Sequence, residues 1–209
     1  MDLYTYYRST SSYRVRIALA LKGLDYQALP INLIRNGGEQ LQPAYRAINP
    51  QGRVPTLRTD EGDLLVQSPA IIEYLEERHP EPPLLHGDTL MRARQRSVAA
   101  VIGCDIHPLH NVAVLKRLRG LGVQESDVAA WLGHWITEGL NAVETLIGCT
   151  GFCFGEPGLA DVYLLPQLYA ARRFDVSLEN WPRIQRVEGF ALEHPAFMAA
   201  HPDRQLDTP

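Results

Sequence analysis

Leu3-Tyr4-Thr5-Tyr6-Tyr7, then Arg8-Ser9-Thr10-Ser11-Ser12-Tyr13-Arg14, then Val15-Arg16-Ile17-Ala18-Leu19-Ala20-Leu21-Lys22-Gly23 form one continuous segment whose texture changes twice. The aromatic opening has the composition of a strand. The closing run has that of a helix, with a hydroxyl to cap its start and Gly23 to stop it. Outward from this segment, residues 26–33 read as a second strand and residues 38–47 as a weak helix ending in the turn Asn49-Pro50-Gln51-Gly52. Val54-Pro55-Thr56-Leu57 and Leu64-Leu65-Val66-Gln67 read as two further strands around Asp60-Glu61-Gly62-Asp63. Ser68 should then cap a helix with Pro69 at its first position and Ile71, Ile72 and Leu75 as its apolar stripe.

The order β-α-β-α-β-β-α predicts an α/β thioredoxin-like N-terminal domain, a four-stranded mixed sheet with helices on its faces, over residues 1–80. The prolines of His79-Pro80-Glu81-Pro82-Pro83 continue neither a helix nor a central strand, so residues 81–88 are expected to link two domains. Beyond them, helical runs at about 89–118, 127–147, 159–172, 182–192 and 196–200 predict an all-α C-terminal domain over 89–209.

Composition bounds the function. The 209 residues carry 20 Lys+Arg against 24 Asp+Glu, a formal charge of −4, which argues against a nucleic-acid partner. With 45% hydrophobic and 21% charged residues, the chain has enough apolar surface for packed cores. Its longest stretch without a charged residue, Thr145 to Gly155, is 11 residues, so no membrane span is expected. Met1-Asp2-Leu3-Tyr4 opens no export signal, and a cytoplasmic location is the expectation. Cys104, Cys149 and Cys153 fit no zinc spacing and read as buried structural thiols.

Three places could carry chemistry. Four hydroxyls between two arginines at a strand-to-helix junction make an anion site, because a helix start offers free N–H groups and a partial positive charge. Such a site can hold a thiolate. Val54-Pro55 is a candidate cis peptide, which would present the Val54 backbone to an extended peptide. Gln67-Ser68-Pro69 is a second helix start suited to a carboxylate. Arg14 and Arg16 read as solvated helix charges, and Pro108 between His107 and His110 leaves no metal site expected there.

These three segments, together with Asp105-Ile106-His107-Pro108-Leu109-His110-Asn111, Leu159-Ala160-Asp161, Arg172-Arg173-Phe174 and Gln205-Leu206-Asp207-Thr208-Pro209, resemble the zeta class of glutathione transferases along nearly the whole chain. The resemblance implies the glutathione transferase fold, glutathione as cofactor, a small dicarboxylate substrate and a homodimer. It places Ser9, Thr10 and Ser11 at the thiolate, with Ser9 the principal hydroxyl. Val54 would pair with the cysteinyl unit, and Gln67 and Ser68 would hold the γ-glutamyl carboxylate. Gln40, His107 and Asn111 match further glutathione contacts, while Arg8 and Arg173 match a clamp on the substrate carboxylates. The implied activity is glutathione-dependent cis–trans isomerisation of maleylacetoacetate to fumarylacetoacetate in tyrosine and phenylalanine breakdown. Alternatives are maleylpyruvate, an α-halo acid, or a non-catalytic module of the same fold. Two departures stand out: many members have cysteine where this chain has Ser11, and Ser or Thr where it has Gly158.

Overall fold

The computed structural model describes all 209 residues, and its first feature is a sheet built around Leu3 and Leu57, neither of which has any solvent exposure. Strand β1 (Asp2–Thr5) pairs in parallel with β2 (Gln27–Pro30) and antiparallel with β3 (Thr56–Arg58), which pairs antiparallel with β4 (Leu64–Val66). The order is β2-β1-β3-β4. Parallel strands need a crossover, and α1 (Thr10–Leu21) supplies it. Leu3 faces Ala28 on one side and Leu57 on the other, and Leu57 faces Leu65. Helix α3 (Ser68–Arg78) packs against α1, and both contribute fully buried aliphatics, among them Val15, Ile17, Leu19, Ile71 and Leu75. A second cluster joins Tyr4, Tyr6, Tyr45 and Val54.

Several boundaries differ from the sequence reading. The weak helix expected at 38–47 is a 3-10 turn, Glu39–Leu41, followed by the single-turn α2 (Pro43–Arg46), with another 3-10 turn, Arg35–Gly37, just before it. Ser68 does not cap α3; it is the first helical residue, and Gln67 holds the cap position with φ 73°. Arg14 and Arg16 are 2% and 0% exposed, so neither is a solvated charge. Of the cysteines only Cys153 is buried; Cys104 and Cys149 are exposed.

The chain divides into two compact units, Met1–Leu84 with Glu193–Pro209, and Leu85–Leu192. The residues 193–209 expected in the helical domain therefore group with the sheet. The reason is packing: α9 (Pro195–Ala200) lies along α1, and the buried Arg16 donates to the carbonyl of Ala200 at 3.0 Å. The start of the expected linker is likewise anchored to the first unit. Lys22 Nζ sits 2.7 Å from Glu76 Oε2 and donates to the carbonyls of His79 and Pro82 at 2.6 and 3.1 Å, while Glu76 accepts the Leu84 N–H at 2.9 Å. A buried ammonium has three donors to satisfy, and these partners satisfy all of them.

The second unit is helical. The expected run at 89–118 is three pieces: α4 (Thr89–Ala100), a π-turn with a following 3-10 turn (Val101–Ile106, His107–His110), and α5 (Val112–Gly120). Pro108 lacks the N–H a continuous helix requires, and Asn111 restarts the chain as the cap of α5. This stretch is the one whose length and hydropathy would allow a membrane crossing; it is broken here and packs against α6 (Glu125–Leu146) and α7 (Leu159–Arg173). The approach to α6 is so close that a Cβ on Gly139 would lie 2.2 Å from Ile106. Helix α8 (Pro182–Glu193) follows α7.

Gly158 at the cap of α7 has no side chain to offer, so Asp161 serves the helix start alone, accepting the N–H groups of Gly158 and Cys153 at 2.9 Å each. Burial raises its pKa from 3.8 to about 6 against the pull of those bonds. The folded state then binds a proton more tightly than the unfolded chain, so this contribution to stability is complete below pH 4 and lost as pH rises through 6. Relative to Asp161→Asn, which does not titrate, the unfolding free energy should fall by about 2 kcal/mol between pH 4 and 7. Urea titrations across that range measure it, and a constant difference would contradict it.

Candidate active site

In the first unit, the turn leaving β1 delivers Arg8 and Ser9 to the start of α1. Ser9 is the N-cap: its Oγ accepts the Ser12 N–H at 3.2 Å. Ser11 Oγ donates to the Val54 carbonyl at 3.0 Å and stands 3.3 Å from Ser9 Oγ. A hydroxyl has one proton. Ser11 has spent its own on Val54, so the Ser9 proton is the one shared between the two oxygens, over a distance well beyond the usual 2.7–2.8 Å. Ser9 thus holds a loosely committed donor at the positive end of a helix, half-buried beside Thr10, which is 6% exposed. A Cys side chain at position 11 would offer Val54 only a weak S–H donor; the serine makes this a firm tie between helix start and loop.

The Val54-Pro55 bond is cis, as its place in the fold suggested. Tyr45 and Asn49 brace the loop by donating to the Arg53 carbonyl, each at 2.8 Å. Gln67, exposed, bonds through Nε2 to Gln51 Oε1 at 2.5 Å, while Ser68 is buried at the first turn of α3. Gln40 folds back into its own loop with Nε2 3.5 Å from the Leu33 carbonyl and a buried Oε1 that has no partner. Tyr6 is in the tyrosine cluster, and burial pushes its phenol pKa upward. Arg8 lies 5.8 Å from the ring centres of both Tyr6 and Tyr7.

The remaining expected site residues are in the second unit. His107 is half-buried, its ring 5.1 Å from that of His110, which bonds to Gln167 Oε1 at 3.0 Å. The Asn111 side chain caps α5, accepting the Ala113 N–H at 3.2 Å. Arg172 is engaged with Glu188, and Arg173 lies 4.8 Å over the Phe174 ring at the exposed end of α7.

Two residues escaped the sequence reading. Arg16 donates to Thr5 Oγ1 and to the carbonyls of Tyr6, Tyr7 and Ala200; Asp207 accepts the Tyr7 N–H at 2.9 Å. The signal for Arg16 was its place among Val15, Ile17 and Ala18, all fully buried. Asp207 lay in the tail segment that resembles the family, but no role was read for it. The donor set fits a tripeptide thiol: a helix start with a loosely committed hydroxyl proton for sulfur, a loop backbone for a peptide, and a second helix start for a carboxylate.

The profile of the glutathione S-transferase N-terminal domain matches residues 3–83. The chain is 70% identical to a maleylacetoacetate isomerase of Pseudomonas aeruginosa, over 100% of this chain and 99% of that one. Among solved structures it is similar to a holo maleylpyruvate isomerase described as a bacterial zeta-class glutathione S-transferase, with TM-score 0.95 and 44% identity over the whole of both chains. It is also similar to a maleylacetoacetate isomerase from Anaeromyxobacter dehalogenans with glutathione bound in its active site, with TM-score 0.89 and 45% identity over 100% of this chain and 97% of that one.

Gln67 is not glycine yet holds φ 73° and ψ 118°, a conformation that costs of order 1–3 kcal/mol and persists only where surroundings impose it. Gln67→Gly should therefore be more stable than Gln67→Ala by about 1–3 kcal/mol, compared by denaturant unfolding. Equal stability would mean that the backbone carries no strain there.

Proposed function

The chain belongs to the zeta-class glutathione transferases, and from that premise we propose that it catalyses the glutathione-dependent isomerisation of maleylacetoacetate to fumarylacetoacetate. Its 70% identity to a maleylacetoacetate isomerase across the full chain carries the substrate assignment. The hydroxyl chain from Ser9 through Ser11 to Val54 supports the glutathione site. Glutathione, when bound, supplies a thiolate that adds to the alkene, leaves a single bond free to rotate, and departs unchanged.

The residues have separable tasks in this reading. Ser9 turns its proton toward sulfur, and the α1 N–H groups beside it stabilise the negative charge. Thr10 and Ser11 keep that hydroxyl in place. Val54 presents its backbone to the cysteinyl unit, Gln67 and Ser68 hold the γ-glutamyl carboxylate, and Gln40, His107 and Asn111 complete the glutathione contacts. Arg8 and Arg173 are the guanidinium partners of the substrate carboxylates, where a planar fork pairs better than an ammonium. The same proposal includes a cytoplasmic homodimer and a place in tyrosine and phenylalanine breakdown. Maleylpyruvate is the second substrate to weigh, because the whole fold superposes on an isomerase of that name with TM-score 0.95.

Turnover of the two substrates with and without glutathione decides between them; inactivity on both would refute the isomerase reading. Ser9→Ala should lower kcat by roughly 100-fold, the scale of removing one preorganised donor. Arg173→Ala should act mainly on KM, raising it about 10-fold or more, as expected for a lost charge-assisted bond. Wild-type kinetics in both variants would reject these assignments.

A further inference from the structure

The turn between β1 and α1 has no regular secondary structure at residues 6–9, although it carries Arg8 and Ser9. Its geometry is set from outside. The Tyr6 carbonyl accepts the Ser9 N–H at 3.0 Å and Arg16 Nη1 at 3.3 Å, and the Tyr7 carbonyl accepts Arg16 Nη2 at 2.7 Å. The remaining backbone polar group of Tyr7, its N–H, donates to Asp207 Oδ2 at 2.9 Å across 200 residues of sequence. Both peptide groups flanking Tyr7 are thereby fixed, one residue before Arg8 and two before Ser9.

The tail holding Asp207 is tied down independently of that bond. Gln205 Nε2 donates to the carbonyls of Ala199 and His201, Thr208 Oγ1 donates to the carbonyl of Pro202 at 2.6 Å, and the Leu206 side chain between them is 87% exposed. The carboxylate of Asp207 is half-buried, and its hydrogen bond is charge-assisted. A tail that buries no apolar side chain at Leu206, yet aims a carboxylate at a turn amide, serves the turn more than the core.

We propose that Asp207 is a positioning residue of the glutathione site, holding the Tyr7 amide so that Ser9 stays at the N-cap geometry in which its proton is available to sulfur. The inference rests on the reading of Ser9 as the thiol partner. Asp207 acts through the turn and touches neither glutathione nor substrate.

The 209-residue protein tests this by calorimetric titration with reduced glutathione alone, beside hydrogen exchange at the Tyr7 amide. Asp207→Ala should weaken glutathione binding about 10-fold and speed exchange at Tyr7. Asp207→Asn keeps an oxygen that can accept the same N–H, so its affinity should stay within about 3-fold of wild type with exchange still slow. Wild-type affinity in Asp207→Ala overturns the inference alone. So does an Asn variant as weak as the Ala variant, which would trace the effect to charge instead of the bond. A wild-type protein that takes up no glutathione overturns the site reading and this inference with it.

Discussion

A guanidinium without access to water must be given acceptors, because leaving it unpaired in the interior is far more costly than any single bond it makes. Arg16 is in that position, and its partners come from β1, from the turn after it, and from the end of α9. One side chain therefore ties α1 to the continuous stretch from Thr5 to Tyr7 and to the end of α9, 184 residues away. The Tyr13 ring, 5.3 Å from the guanidinium carbon, adds a further face. The turn so held is the one that presents Ser9, two turns before the arginine.

Lys22 does the same for the other end of α1. It gathers the carboxylate of Glu76 and two carbonyls of the chain leaving α3. Among the buried cations of α1 and its C-cap, Arg16 arranges the turn at the helix start and Lys22 fixes the exit of the chain beyond its end. Only two lysines occur in the sequence, and one of them is committed to this purpose.

The first unit was largely legible because its signals are local. The β-prone composition of Leu3 to Tyr7, the hydroxyl cap and Gly23 specify strand, cap and stop within a few residues, and β1, α1 and the cap at Ser9 lie within a residue or two of those marks. Long-range pairing left weaker traces. Arg14 and Arg16 look like ordinary surface charges until the helix is seen to be buried on all sides over residues 12–19. The tail looked like more helix because Pro195–Ala200 is helical, but membership of a unit depends on what a helix packs against, which periodicity does not encode. The Ser68 cap failed for a related reason: Gln67 adopts a left-handed φ that its residue type does not favour, so composition pointed one residue too far along.

The return of residues 193–209 to the sheet also fixes an order of events during synthesis. The first unit is interrupted by the whole of the second, so α1 and the turn before it emerge from the ribosome long before Ala200 and Asp207 exist. Arg16 must wait for one of its acceptors and Tyr7 for its carboxylate while the helical unit is being made. A nascent chain can assemble the strands and helices of the sheet, but the turn that carries Ser9 acquires its bond to Asp207 only after the whole helical unit has been made.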